Sequence, residues 1–138
     1  MEGKATCKLL VVDDDKTILN LFATALELEG YAVSTAASGR EGLRMATEDR
    51  FDVALLDIDL PDICGIEVMR QLVKTTDTIV ILVTGNTVDY SHESVIREGA
   101  ADFIAKPVRI AELAMRIKQA RDARTLAVAY SSRRYIAG

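Results

Sequence analysis

Four short apolar runs punctuate the chain: Leu9-Leu10-Val11-Val12, Val53-Ala54-Leu55-Leu56, Ile79-Val80-Ile81-Leu82-Val83 and the shorter Phe103-Ile104-Ala105. Their length and β-branched content predict strands buried on both faces. A fifth segment, Tyr31-Ala32-Val33-Ser34-Thr35, alternates large and small residues as a half-exposed edge strand does. Between these runs the pattern becomes helical. Ile18, Leu21, Phe22, Ala25 and Leu28 mark one face of a helix that follows the cap candidates Asp14 and Asp15 and stops at Gly30. Ile66, Met69, Leu72 and Val73 do the same after Gly65, as do Ile110, Leu113, Ala114 and Ile117 after Pro107. Segments 38–48 and 88–98 are weaker helices. The second offers little beyond Val95 and Ile96 as a buried face, which makes it a candidate moving part.

Five alternations of strand and helix predict a parallel sheet covered on both sides, and right-handed crossovers make that a doubly wound α/β sandwich. Ligands in such sheets sit beyond the carboxyl ends of the strands, at the topological switch point. The strand ends are therefore where chemistry is expected. The first ends in Asp13-Asp14-Asp15, the third in Asp57 with Asp59 close behind, the fourth in Thr84-Gly85-Asn86 and the fifth in Lys106-Pro107. A dinucleotide fold would carry a Gly-rich turn after its first strand. Three carboxylates stand there instead.

Clustered carboxylates stay ionised together only if a metal ion, a lysine or protonation compensates them. All-oxygen ligands with spare coordination positions suit Mg²⁺ or Mn²⁺, and Thr84 and Lys106 can both hold phosphoryl oxygens. The set suits phosphoryl transfer, with a carboxylate as nucleophile; Asp57, ending a central strand, is the candidate. Each member also has a plainer reading. An acidic triplet at a helix start caps the helix and complements its dipole. A strand-end threonine is often structural and a lone lysine solvated. Cys64 reads as an inert loop residue, and His92 as a surface residue rather than a base. The signal lies in the four strand ends taken together.

Composition narrows the classes. Seventeen basic against 21 acidic side chains give a net charge of −4 and a pI near 5.0, which argues against a nucleic-acid or anionic-membrane surface. Two cysteines, Cys7 and Cys64, cannot build a structural zinc site, and a chain of 138 residues needs no disulfide staple. No apolar run approaches the roughly 18 residues of a membrane span, and the first residues lack the apolar core of a secretory signal. The expectation is a cytoplasmic protein.

Taken in order, Leu10-Val11-Val12-Asp13-Asp14-Asp15, Leu55-Leu56-Asp57-Ile58-Asp59-Leu60-Pro61 with Gly65, Val83-Thr84-Gly85 and Gly99-Ala100-Ala101-Asp102-Phe103-Ile104-Ala105-Lys106-Pro107 resemble the motifs of a two-component response-regulator receiver domain. The resemblance runs from Lys8 to about Ala120. It implies a flavodoxin-like or CheY-like sheet of five strands in the order 2-1-3-4-5. It also implies that Asp57 accepts a phosphoryl group from a phosphohistidine on a sensor histidine kinase or phosphotransfer protein. Asp14, Asp57 and the backbone carbonyl of Asp59 would ligate Mg²⁺ directly, with Asp13 acting through water. Lys106 would pair with Asp57, and the Lys106-Pro107 bond is often cis in such domains. Thr84 would be the switch hydroxyl. Phe103 would be the aromatic that follows it, its rotamers chosen by packing alone. The readout would fall on the face formed by segment 88–98, the fifth strand and the last helix, through which a homodimer could also form.

Two positions depart from the commoner pattern. Asp59 stands where an apolar or amide residue is frequent, and Cys64 where an acid is usual. Asp59, with Asn86 facing the same path, is expected to alter the lifetime of the acyl phosphate. Asp57-Ile58-Asp59 also resembles the nucleophile motif of haloacid-dehalogenase-type phosphatases, in which Asp59 would be the general acid/base. Against that reading, the acidic pair lies upstream of the nucleophile. A third possibility, an interaction module that has lost phosphorylation, finds no support in the residues present. The expected organisation is a receiver over 7–121 and a helical extension or linker over 122–138. After about Ala120 come Arg121, Arg124, Arg133 and Arg134 with only Asp122 opposing them. No DNA-binding or catalytic output motif fits in so few residues. Five acids belong to the strand-end crevice or its rim; without them 17 basic side chains would face 16 acidic ones, so the charge of −4 is largely local.

Overall fold

The computed structural model describes residues 6–86 and 88–137. Strands β1 (Lys8–Val12), β2 (Ala32–Ala36), β3 (Val53–Leu56), β4 (Ile79–Thr84) and β5 (Asp102–Ala105) alternate with helices α1 (Lys16–Leu28), α2 (Gly39–Glu48), α3 (Gly65–Thr75), α4 (His92–Arg97) and α5 (Ile110–Ala137). All pairings are parallel and the order is β2-β1-β3-β4-β5, as the resemblance implies. The switch point lies between β1 and β3, where the chain has wound outward in both directions.

Each strand divides its side chains between two cores, as the two-residue period dictates. Leu10, Val12, Ala54, Leu56, Val80, Leu82 and Phe103 point to the side of α2, α3 and α4. Leu9, Val11, Val53, Leu55, Ile79, Ile81, Val83 and Ile104 point to the side of α1 and α5. Uninterrupted apolar strands follow directly from that double burial.

The structure corrects several boundaries. In α1 the buried face is Leu19, Phe22 and Leu26, while Leu21 and Leu28 are 55% and 84% exposed. Apolar residues lie on two adjacent stripes of this helix, and periodicity alone does not choose between them. In the fold the stripe of Leu19, Phe22 and Leu26 is the one that joins the core with Leu9, Val11, Leu113 and Ile117, while Asp15, whose side chain accepts from the N–H groups of Thr17 and Ile18, caps the helix and Gly30 (φ +100°) turns the chain after it. In α3, Val68 is buried and Val73 is partly exposed, its methyls lying against Gly99. Segment 88–98 contributes only the six residues of α4, anchored by Val95 with Ile96 partly buried. Helix α5 runs unbroken through Ala137. No helix among the described residues is long and apolar enough to cross a membrane.

Candidate functional site

The carboxyl ends of β1 and β3 lie side by side because their registers coincide, Val12 opposite Leu56. The next residue on each strand therefore shares one rim. Asp13 and Asp57 are both buried; the Asp13 N–H donates to the Ala36 carbonyl, and the Asp57 N–H to that of Val12. Asp14 is exposed beside them. One carboxylate oxygen from each of Asp13, Asp14 and Asp57 lies within 4.8 Å of the others.

Lys106, one residue past β5, is brought over by the pairing of β5 with β4, its N–H bonded to the Thr84 carbonyl at 2.9 Å. Its ammonium donates to Asp57 Oδ2 at 2.9 Å and to Asp13 Oδ2 at 2.5 Å. The second of these contacts was not expected from the sequence, which pairs Lys106 with Asp57 alone. Burial raises the Asp13 carboxyl above its ordinary range, and the Lys106 bonds offset this only in part. For Lys106, burial works against the charge, yet the bonds to Asp13 and Asp57 outweigh it and hold the ammonium above its usual value. The lysine is thus a fixed counter-cation for two buried acids. The Lys106-Pro107 bond is cis.

Thr84 is buried, and its hydroxyl oxygen accepts from the Asn86 N–H at 3.1 Å. The Asn86 amide in turn donates to Asp59 Oδ1 at 3.2 Å and Asp89 Oδ2 at 3.3 Å, so Asp59 and Asn86 meet at the rim. Asp59 itself is exposed, and its N–H donates to Asp57 Oδ1 at 3.2 Å. Phe103 is turned inward, with His92 edge-on against it, ring centroids 6.4 Å apart. His92 is exposed as expected, yet it lies 3.5 Å from Asp102 as well. Cys64 is exposed at the start of α3, 3.6 Å from the Tyr90 hydroxyl.

Two supporting residues were not picked out for these contacts from sequence. A Cβ added to Gly65 would lie 2.0 Å from the Asp57 carbonyl oxygen and 2.8 Å from Ile58 Cα. Only glycine allows this approach, in which the Gly65 N–H donates to the Ile58 carbonyl at 2.8 Å. Asp62, in the loop between β3 and α3, accepts from the Gly39 and Arg40 N–H groups at 2.9 and 2.8 Å, so the loop that follows Asp57 is tied to the start of α2. A carboxylate three to five residues past a buried strand-end Asp is the signal that could have pointed to it.

The sequence profile of the response regulator receiver domain matches residues 9–118. The chain belongs to the response-regulator receiver family. The response regulator ArlR of Staphylococcus saprophyticus is 35% identical over 111 residues, 80% of this chain and 50% of that protein. The transcriptional regulatory protein PrrA of Mycobacterium tuberculosis is 36% identical over 117 residues, 84% of this chain and 50% of its own. This chain therefore spans about half the length of the curated relatives it matches. Among solved structures, a CheY-like receiver from Methanospirillum hungatei superposes with a TM-score of 0.81 at 34% identity, covering 89% of this chain and 99% of that one. The response regulator TrrA of Thermotoga maritima, solved in complex with Mg²⁺-BeF, gives 0.76 at 31%, covering 83% and 99%. These matches establish a phospho-accepting receiver of two-component systems and give the phosphatase reading no support.

Proposed function

We propose that Asp57 is the phospho-acceptor of this receiver. The observation that carries the proposal is the bridge from Lys106 to both Asp13 and Asp57, which holds the acceptor carboxylate in place at the rim of the sheet. An Asp57 oxygen attacks the phosphorus of a phosphohistidine on a kinase or phosphotransfer protein. The P–O bond forms as the P–N bond breaks, and the imidazole leaves and takes up a proton. Lys106 then exchanges one carboxylate partner for a phosphoryl oxygen, and the Thr84 hydroxyl leaves the Asn86 N–H to donate to another.

Asp13, Asp14 and Asp57 are hard oxygen donors within one ion's reach, so they fit Mg²⁺ or Mn²⁺, with the Asp59 backbone carbonyl completing the set. The bound cation would offset the charge of nucleophile and phosphoryl group in the transition state. Asp59 and Asn86, bonded to each other beside the acceptor, are placed to orient or repel the water that hydrolyses the acyl phosphate.

Movement of Thr84 leaves space into which Phe103 turns, changing the face of α4, β5 and α5. The receiver proper spans 7–121, and the tail over 122–138, helical through Ala137, passes the change on through protein contacts. The chain works in the cytoplasm and does not itself bind DNA. Incubation with Mg²⁺ and acetyl phosphate tests the reading. A receiver gains one phosphoryl group per chain, lost in Asp57→Asn; repeated turnover of p-nitrophenyl phosphate, or no labelling, would overturn it.

A further inference from the structure

Phe103 lies on β5, the strand at the edge of the sheet, so no further strand flanks it, and α4 is the helix packed beside it on its face. Its ring is 8% exposed, whereas the His92 side chain that meets it at 73° is 62% exposed. The imidazole is therefore the outer layer over the aromatic. Helix α4 is held unevenly along its length. At its C-terminal end the Glu98 carboxylate accepts from Arg70 Nε at 2.7 Å, and Gly99 (φ +123°) lies against Val73. At its start, among the described residues, Glu93 and Ser94 bond to Arg97 and Ser91 of the same segment, and the polar contact from that end of the helix to β5 is made by His92. One end is pinned to α3. The other rests on a single imidazole and the buried Val95.

We infer that His92 is a positioning residue for the switch: its ring keeps Phe103 turned inward, and Phe103 swings out to solvent only when the start of α4 lifts. The contact works through the ring rather than through charge. Asp102, 3.5 Å from His92 Nε2, is already claimed by Arg116, whose Nη1 donates to both of its oxygens at 2.8 Å, with Glu112 3.8 Å from the same guanidinium. On α4 itself Glu93 is paired with Arg97 at 2.9 Å. Asp102 thus orients the imidazole, and the aromatic contact does the holding. A pair of rings in this edge-to-face geometry shifts a two-state equilibrium by about 2- to 10-fold. With Phe103 inward in the charged state of the site, His92 biases the resting chain toward that arrangement. Coupling is reciprocal, so His92 also tightens binding of a phosphoryl mimic at the acceptor. This consequence rests on the reading of Asp57 as the acceptor, whereas the hold of His92 on Phe103 stands without it.

The rotamer is read by fluorine NMR on the full chain labelled with 4-fluorophenylalanine, with neither phosphoryl donor nor metal present. The chain has three phenylalanines, and Phe103→Leu assigns the resonance in question. Relaxation by a soluble nitroxide reports exposure. In the wild type Phe103 should be protected like the buried Phe22 and Phe51. His92→Ala, a change at an exposed position, should raise the nitroxide effect on Phe103 at least about twofold and leave the other two resonances unchanged. His92→Phe should restore protection; His92→Lys, which keeps a cation beside Asp102 without a ring, should not. Separately, the affinity for beryllofluoride with Mg²⁺ should fall about 2- to 10-fold in His92→Ala and recover in His92→Phe. An unchanged Phe103 signal in His92→Ala, or rescue by lysine rather than phenylalanine, would overturn the inference. Equal beryllofluoride affinity despite a freed Phe103 would overturn the coupling to the acceptor. A wild type that binds no beryllofluoride would instead overturn the reading of Asp57, with the nitroxide result still deciding the role of His92.

Discussion

Replacing Gly65 by alanine adds one methyl group at the point where α3 approaches the acceptor loop most closely. The new carbon would stand 2.0 Å from the Asp57 carbonyl oxygen, 2.8 Å from its carbonyl carbon and 2.8 Å from Ile58 Cα. Carbon contacts relax to about 3.5 Å, so helix and loop must part by about 1–1.5 Å. All three obstructing atoms are backbone, and no side chain can swing aside. Overpacking of this kind costs about 1–3 kcal/mol, or roughly 3–10 °C in Tm for a chain of this size. The larger effect is on chemistry. A displacement of about 1 Å in an attacking group can cost about 100-fold in rate, and the carboxylate displaced here is the proposed nucleophile itself. The assay is the initial rate of labelling by acetyl phosphate with saturating Mg²⁺, at a temperature well below both midpoints. Gly99→Ala is the control: it forces alanine to φ +123° and against Val73 at 2.9 Å, so it loses stability at a distance from Asp57. Gly65→Ala should label about 100-fold more slowly and Gly99→Ala at the wild-type rate. A Gly65→Ala protein that labels within twofold of wild type and melts within 1 °C of it would refute the close-packing argument.

Lys106→Met keeps the length of the side chain but removes the cation shared by Asp13 and Asp57. With each charged hydrogen bond worth about 1.5–3 kcal/mol, the metal-free variant should melt well below wild type, and Mg²⁺ should stabilise it more than it stabilises wild type in calorimetry. The Arg40 and Gly39 N–H groups hold the Asp62 carboxyl below its ordinary value. Its contribution is therefore complete above the unfolded-state pKa of about 3.9 and lost as pH falls through the lower folded-state value. Asp62→Asn should lower Tm at pH 7, and the gap to wild type should close in acid; a gap independent of pH would contradict this. Asp59→Asn should change the dephosphorylation rate, measured by loss of label after donor removal, and equal rates would remove Asp59 from that step.

Strand positions and the convergence of Asp13, Asp57, Thr84 and Lys106 were legible because unbroken apolar runs have one good solution, and their last residues fall at one edge. Helix phase was less legible. In α1, apolar residues lie on two adjacent stripes, and which one is buried is settled by packing against the sheet and α5, where Leu19, Phe22 and Leu26 meet Leu9, Val11 and Leu113. The double grip of Lys106 was also hidden, because it depends on whether a flexible side chain reaches one acid or both. Gly65 stood out as a motif glycine, but its reason did not. A helix glycine reads as a weak spot until the carbonyl beneath it is seen.

The contact between Lys106 and Asp13 joins residues 93 positions apart, and that between Lys106 and Asp57 spans 49. During synthesis the acids leave the ribosome long before the lysine, since chains emerge from the N-terminus onward. A chain stalled before β5 can hold the carboxylates but not their partner. With Asp57 as the proposed acceptor and Lys106 as its partner, competence to take a phosphoryl group would arrive only with the last strand, and an unfinished chain would not draw phosphoryl groups away from its donor.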